Sequence, residues 1–144
     1  MRLEDIQKLW DADSIIDRSR LDEESAGIPL LHSKYYKIYV AEKNILTRML
    51  ESIKILSLEK REHYTQGASK ESLEKGWKLP PRGAVLKTEA DFYLDADTDL
   101  IGEKIEIAEQ NEKVEFLKSV LKMISDRQWH CRVAIDFMKF KHGG

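Results

Sequence analysis

Apolar side chains recur along most of this chain at intervals of three and four, the spacing that gathers them on one face of an α-helix. Leu3, Ile6, Leu9 and Trp10 open the pattern as a short amphipathic helix, which Asp11 to Ser14 breaks before Ile15-Ile16, an expected extended anchor. A long helix is expected from about Leu21. Ile28, Leu31, Tyr35, Ile38, Ile45, Met49, Ile53 and Leu56 continue one stripe, with Glu42 as a polar interruption. Pro29 lacks an amide proton and should end or kink the first turns. The helix should fade at Thr65-Gln66-Gly67, where Gly67 suits a C-terminal cap.

Residues 65–87 read as an irregular middle and the best candidate for a mobile loop. Ser69 suits the N-cap of a helix of one or two turns that runs through Lys75 and closes at Gly76, and Pro80-Pro81 forces an extended stretch before Gly83. Thr88 then caps a short piece carrying Phe92, Tyr93 and Leu94. A second long helix should begin near Asp97-Thr98. Leu100, Ile107, Val114 and Leu121 lie seven apart, with Leu117 and Ile124 three beyond the last two, a heptad seam diluted by Glu103 and Gln110. Asp126-Arg127 should interrupt it, leaving Trp129, Val133, Phe137 and Phe140 on a final amphipathic helix that frays at His142-Gly143-Gly144.

The expected fold is mainly α. It is a long helical hairpin with short satellite helices in one unit over 1–144: N-terminal helices over 1–64, a basic loop over 65–87 and C-terminal helices over 88–144. Two such helices do not easily bury this much seam alone, so the hairpin should pack against copies of itself, an intramolecular bundle being the alternative. Val114, Leu117, Leu121, Ile124, Trp129, Val133, Phe137 and Phe140 are the expected contacts between copies.

At 144 residues the chain suits one domain, and 42% hydrophobic content argues against wholesale disorder. One cysteine excludes a disulfide framework and a Cys-rich zinc site. The acidic start has no apolar core of a secretory signal, and no stretch approaches the roughly 18 apolar residues of a membrane span, so no membrane is expected.

Candidate chemistry is sparse. Asp95, Asp97, Asp99 and Glu106 match ligand positions of a calcium loop, but Leu100 stands where that loop needs glycine, and aspartates at a helix start are stabilised by its dipole without metal. His32, His63, His130 and His142 show no ligand spacing, and Cys131 reads as a buried thiol. No phosphate-binding glycine loop or nucleophile elbow occurs. Neither a catalytic residue, a metal nor a cofactor is expected, and the chain does not read as an enzyme.

Charge changes the picture once it is divided along the chain. The net charge of −2 conceals blocks of −4 over 1–27, +6 over 28–88, −8 over 89–115 and +4 over 116–144. A polyanion responds to local potential within about 8–10 Å, not to the total. In the positive block Lys54, Lys60, Arg61, Lys70, Lys75, Lys78, Arg82 and Lys87 interleave with His63, Tyr64 and Trp77. Single-stranded nucleic acid is bound by such cations along its phosphates and by aromatic faces for its bases. Equally, Tyr64 and Trp77 serve as core anchors while the lysines solubilise a helical scaffold or adaptor that binds no nucleic acid. Composition and spacing leave both open.

The order of short motifs adds a resemblance. Met1-Arg2-Leu3-Glu4-Asp5-Ile6-Gln7 is followed by Ile16-Asp17, Leu21, Ile28-Pro29 and His32-Ser33-Lys34-Tyr35-Tyr36. Then come Leu58, Arg61, Tyr64 and Gly67 at intervals of three, Leu86-Lys87-Thr88, and Tyr93-Leu94-Asp95-Ala96-Asp97. Val114-Glu115-Phe116-Leu117, Trp129 and Phe137-Met138-Lys139-Phe140 close the series. Over essentially its whole length the chain resembles the UvsY recombination mediators of tailed phages, especially those of cyanophages.

The resemblance implies a non-enzymatic protein in the cytoplasm of an infected bacterial host, binding single-stranded DNA as a ring or open barrel of the hexamer or heptamer class. It further implies that a RecA-like recombinase and the phage single-stranded DNA-binding protein are partners, the first being helped to displace the second and nucleate its filament. Arg61 and Tyr64 match the family's DNA-binding pattern at the end of the first long helix. The family's lysine two places before the arginine is Glu59 here, with Lys60 one place later, a shift that rotates a helical side chain by about 100°. The family's reliance on its C-terminal part for assembly agrees with the seam.

Overall fold

In the computed structural model, which describes residues 1–143, the chain is helical almost throughout and no strand occurs among the described residues. In order it forms α1 (Leu3–Asp13), a 3-10 turn (Arg18–Arg20), α2 (Leu21–Ala26), α3 (Ile28–Gln66) and α4 (Lys70–Glu74). A second 3-10 turn (Lys87–Glu89), α5 (Ala90–Asp95) and α6 (Thr98–Lys141) follow. Both long helices expected from the periodicity are present. No helix among the described residues is long and apolar enough to cross a membrane.

Four boundaries differ from the sequence reading. α1 continues through Asp13, past the break expected from Asp11, and Thr88 lies inside the second 3-10 turn instead of capping the short piece that follows. The long helices differ at two points. The expected single helix from Leu21 is divided at Gly27, whose N–H bonds to the Glu23 carbonyl as α2 ends while its own carbonyl accepts from Leu31. Pro29 is thus the second residue of α3, where an amide proton has no helical acceptor to lose, so it starts the helix instead of kinking it. The expected interruption at Asp126-Arg127 is absent, because α6 runs unbroken to Lys141.

The chain divides into two compact units. The first holds Met1–Asn44 with the chain from Gln110 onward. Ile6 and Trp10 of α1, Tyr35 of α3 and Leu117, Val120 and Ile124 of α6 form its core, with Leu31, Ile38 and Leu121 packed against it. The Trp10 and Tyr35 rings meet edge to face at 5.4 Å, and the Tyr35 hydroxyl donates to Asp13 at 2.8 Å.

Two of the polar residues that interrupt the apolar stripes, Glu42 and Gln110, are buried and matched here, whereas Glu103 is only half-buried. Glu42 and Gln110 are both inside, the amide of Gln110 donating to the Glu42 carboxylate at 2.7 Å and to its backbone carbonyl at 2.9 Å. Arg127 is buried too, donating to the carbonyls of Asp13 and Ile15 and to the Glu24 carboxylate at 2.7 Å. A buried guanidinium is tolerable here because both terminal amino groups meet oxygen, although Nε is buried without a partner among the described residues, and the bonds also pin the loop after α1. The expected anchor is partial: Ile16 is half-buried, whereas Ile15 is exposed.

The second unit, Ile45–Glu109, contains the end of α3, the whole irregular middle, α5 and the start of α6. Ala90, Leu94 and Leu100 are buried beside four polar residues, Lys60, His63, Ser72 and Asp97. Two local signals are obeyed. Gly67 ends α3 with φ +95°, a region its missing Cβ opens. Ser69 caps α4 by accepting from the Ser72 N–H, and the Ser72 hydroxyl reciprocally accepts from the Ser69 N–H.

Candidate nucleic-acid interface

The last turns of α3 carry the sequence-predicted site, and the helical period separates its members. Lys60, His63 and Tyr64 fall on one face, which is covered; Arg61, about 100° away, is exposed. Lys60 lies against two carboxylates, with its ammonium 3.1 Å from Asp97 and 2.7 Å from Asp99. The same ammonium stands 4.1 Å from the centre of the Trp77 ring, a cation–π contact.

Asp97 gathers more than that lysine. One carboxylate oxygen accepts the Leu100 N–H at 3.0 Å and so caps α6, while the other accepts the Tyr64 hydroxyl at 2.6 Å. Burial opposes ionisation of Asp97, but the hydrogen bonds from Tyr64, the Leu100 amide and Lys60 outweigh it and hold the carboxyl below its ordinary range. Burial, together with the bond to Asp97, pushes the Tyr64 hydroxyl well up. Two of the aspartates that imitate a calcium loop therefore have other partners: Asp97 caps α6, and both Asp97 and Asp99 pair with Lys60.

His63 completes the cluster. Its Nε2 donates to the Lys78 carbonyl at 3.0 Å, and its ring meets Trp77 and Tyr64 edge to face at 5.6 and 5.2 Å. The Val85 N–H donates to the Tyr64 carbonyl at 2.8 Å. These two bonds tie the expected loop to the end of α3 at both Lys78 and Val85.

The eight cations from Lys54 to Lys87 then sort into three groups. Lys60 is enclosed. Lys54, Arg61 and Lys75 form exposed ion pairs with Glu51, Asp91 and Glu59. Such pairs contribute only about 0–1 kcal/mol and exchange readily for phosphate. Lys70, Lys78, Arg82 and Lys87 are exposed and make no ion pair among the described residues. Lys60, His63, Tyr64 and Trp77 are thus brought together as a packed cluster, while those of the eight cations without an ion pair lie on the segment from Lys70 to Lys87.

One feature escaped the sequence reading. Phe92 is 77% exposed, on the rim of the same unit. A signal existed: Phe92, Tyr93 and Leu94 are consecutive, so a helix cannot turn all three inward.

The residues expected between copies divide in the same way. Val114, Leu117 and Ile124 are buried in the first unit, with Leu121 half-buried against its core. Trp129, Val133, Phe137 and Phe140, at helical spacing along the end of α6, are exposed by 62, 45, 63 and 84%. These four side chains form an exposed apolar row on α6.

Residues 9–144 match a family described as "Recombination, repair and ssDNA binding protein UvsY". Among solved structures, a crystal structure of the bacteriophage T4 recombination mediator protein UvsY (lattice type II) superposes with a TM-score of 0.79 at 25% identity, covering 99% of this chain and 98% of that one. A second crystal form of the T4 protein (lattice type IV) gives 0.78 at 22% identity, covering 98% and 99%. No curated protein sequence matches.

Proposed function

The chain belongs to the UvsY family, and from that premise we propose that it is a non-catalytic mediator that binds single-stranded DNA through the segment from Lys70 to Lys87. The observation that carries this is the set of four exposed cations (Lys70, Lys78, Arg82 and Lys87), unpaired among the described residues, on a backbone tethered to α3 at Lys78 and Val85. A tethered cation costs less to immobilise on a phosphate than one on a free loop. Arg61, Lys75 and Lys54 join by exchanging their exposed carboxylates for phosphates. Lys60 acts behind them, holding the end of α3 against the start of α6.

Each chain offers few contacts, so affinity should come from repetition. The exposed row from Trp129 to Phe140 supplies a surface for assembly into a ring or open barrel. Beside it a cleft of about 610 Å³ is lined by Ile16, Leu21, Val133, Phe137 and Met138, with Arg18 and His130 also in its wall, a seat for side chains of another copy. Linked copies raise avidity without new contacts. In this reading the assembly holds one strand, in the cytoplasm of an infected bacterial host, in a form that a RecA-like recombinase takes up and the resident single-stranded DNA-binding protein releases.

A salt titration of binding to a fluorescent oligonucleotide tests the reading. Affinity should fall steeply with salt, with a slope of about −0.7 per phosphate contacted. Absence of binding at low salt would leave a helical adaptor without nucleic-acid function.

A further inference from the structure

A cleft of about 480 Å³ lies between the Arg82–Leu86 stretch and α5, lined by Arg82, Val85, Leu86, Glu89, Phe92 and Tyr93. Its size falls within the roughly 300–1,000 Å³ of clefts that seat small ligands. Its chemistry is unusual for a surface: a phenylalanine 77% exposed and a leucine 67% exposed stand beside an unpaired arginine.

Phe92 is held outward by its helix. Ala90 and Leu94 of α5 are buried, and Phe92, two residues from each, lies about 200° around the axis. The ring is supported from behind. Phe92 meets Tyr93 edge to face at 5.8 Å, Tyr93 stacks on Tyr64 at 5.9 Å, and the Tyr64 hydroxyl is fixed to Asp97. The opposite wall is fixed as well, since the Val85 N–H is bonded to the Tyr64 carbonyl. A large apolar face on a rigid mount, next to a free guanidinium, suits a ligand that is flat, aromatic and anionic at one end.

Resting on the single-stranded DNA reading above, we infer that this cleft seats one unpaired nucleobase, stacked on Phe92, with Arg82 on the adjoining phosphate. Glu89 repels phosphate and so turns the backbone toward Arg82. Its carboxylate accepts a hydrogen bond from an exocyclic amine, which adenine, cytosine and guanine carry and thymine lacks. An apolar peptide fits the cleft less well, because it would leave Arg82 and Glu89 desolvated without partners.

The test uses the full chain, labelled oligo(dC), oligo(dT) and an abasic strand of equal length. Phe92→Ala should weaken oligo(dC) binding roughly tenfold and leave the abasic strand and the salt slope unchanged. Phe92→Trp should restore the loss, and Glu89→Gln should narrow the preference for oligo(dC) over oligo(dT). If the unmodified protein binds no strand at all, the single-stranded DNA reading itself fails. If it binds but Phe92→Ala changes neither strand, or both equally, the cleft does not seat a base.

Discussion

Lys60 and Asp97 are paired inside the second unit, ammonium to carboxylate at 3.1 Å, with each side chain only 4% exposed. Removing one member of a buried pair leaves the other uncompensated, at a cost of roughly 3–5 kcal/mol. Lys60→Met should therefore lower stability in urea unfolding by about that amount. A Lys60→Met protein of unchanged stability but weakened DNA binding would put the lysine on the strand instead.

Lys78→Ala combined with Arg82→Ala should behave in the opposite way. Both side chains are exposed and unpaired, so stability should stay within about 0.5 kcal/mol. Loss of two phosphate contacts should flatten the salt slope of single-strand binding by about 1.4. An unaltered slope moves the strand path off this segment.

Acid should unfold the protein through its buried carboxylates. In Asp97 burial is outweighed by bonds from Tyr64, the Leu100 amide and Lys60; in Glu42 it is outweighed by Gln110, the terminal ammonium and Lys113. Both carboxyls sit below their ordinary values of 3.8 and 4.5, so the unfolded chain binds protons more tightly than the folded one. The stability they contribute is complete above about pH 5 and is lost as pH falls through the ordinary values toward the folded ones. Tyr64→Phe removes one donor to Asp97 and should move the acid limb of a melting-temperature profile to higher pH. A limb that stays in place would mean that another carboxylate controls it.

Phe137→Asp with Phe140→Asp should reduce the mass seen in light scattering while the circular dichroism signal of the helices is kept. The two rings are 63 and 84% exposed and belong to no core. Leu117→Asp should instead unfold the chain, because Leu117 is fully enclosed in the first unit. An unchanged mass for the double variant puts assembly on another surface.

Arg127→Lys should not be conservative. The guanidinium bonds two carbonyls and the Glu24 carboxylate from a fixed fork, and one ammonium cannot reproduce that geometry. The change should cost about 1–3 kcal/mol and speed proteolysis between α1 and α2. Equal protease resistance in the two proteins would show that the clamp is dispensable.

Several of these features are local and so could be read from the order of residues. The stripe from Ile28 to Leu56 and the seam from Leu100 to Ile124 report helices because the helical period acts over a few residues. Ser69 and Gly67 mark helix ends for the same reason. Division of the charge along the chain located a basic segment that the total concealed, and the order of motifs pointed to the family.

What the sequence by itself determined, then, was the helices, their apolar faces and the family. Tertiary structure alone decided which polar residues are enclosed and which cations are free. Glu42 meets Gln110 across 68 residues, Arg127 meets Glu24 across 103, and Lys60 meets Asp99 across 39. Each looked like a break, a dilution or a DNA contact, because periodicity does not say which distant group will arrive to match a charge. Pairing is a matter of a few ångströms in space. It withdrew Lys60 from the surface and left Lys78 and Arg82 on it, though all three count equally in a sum of charges.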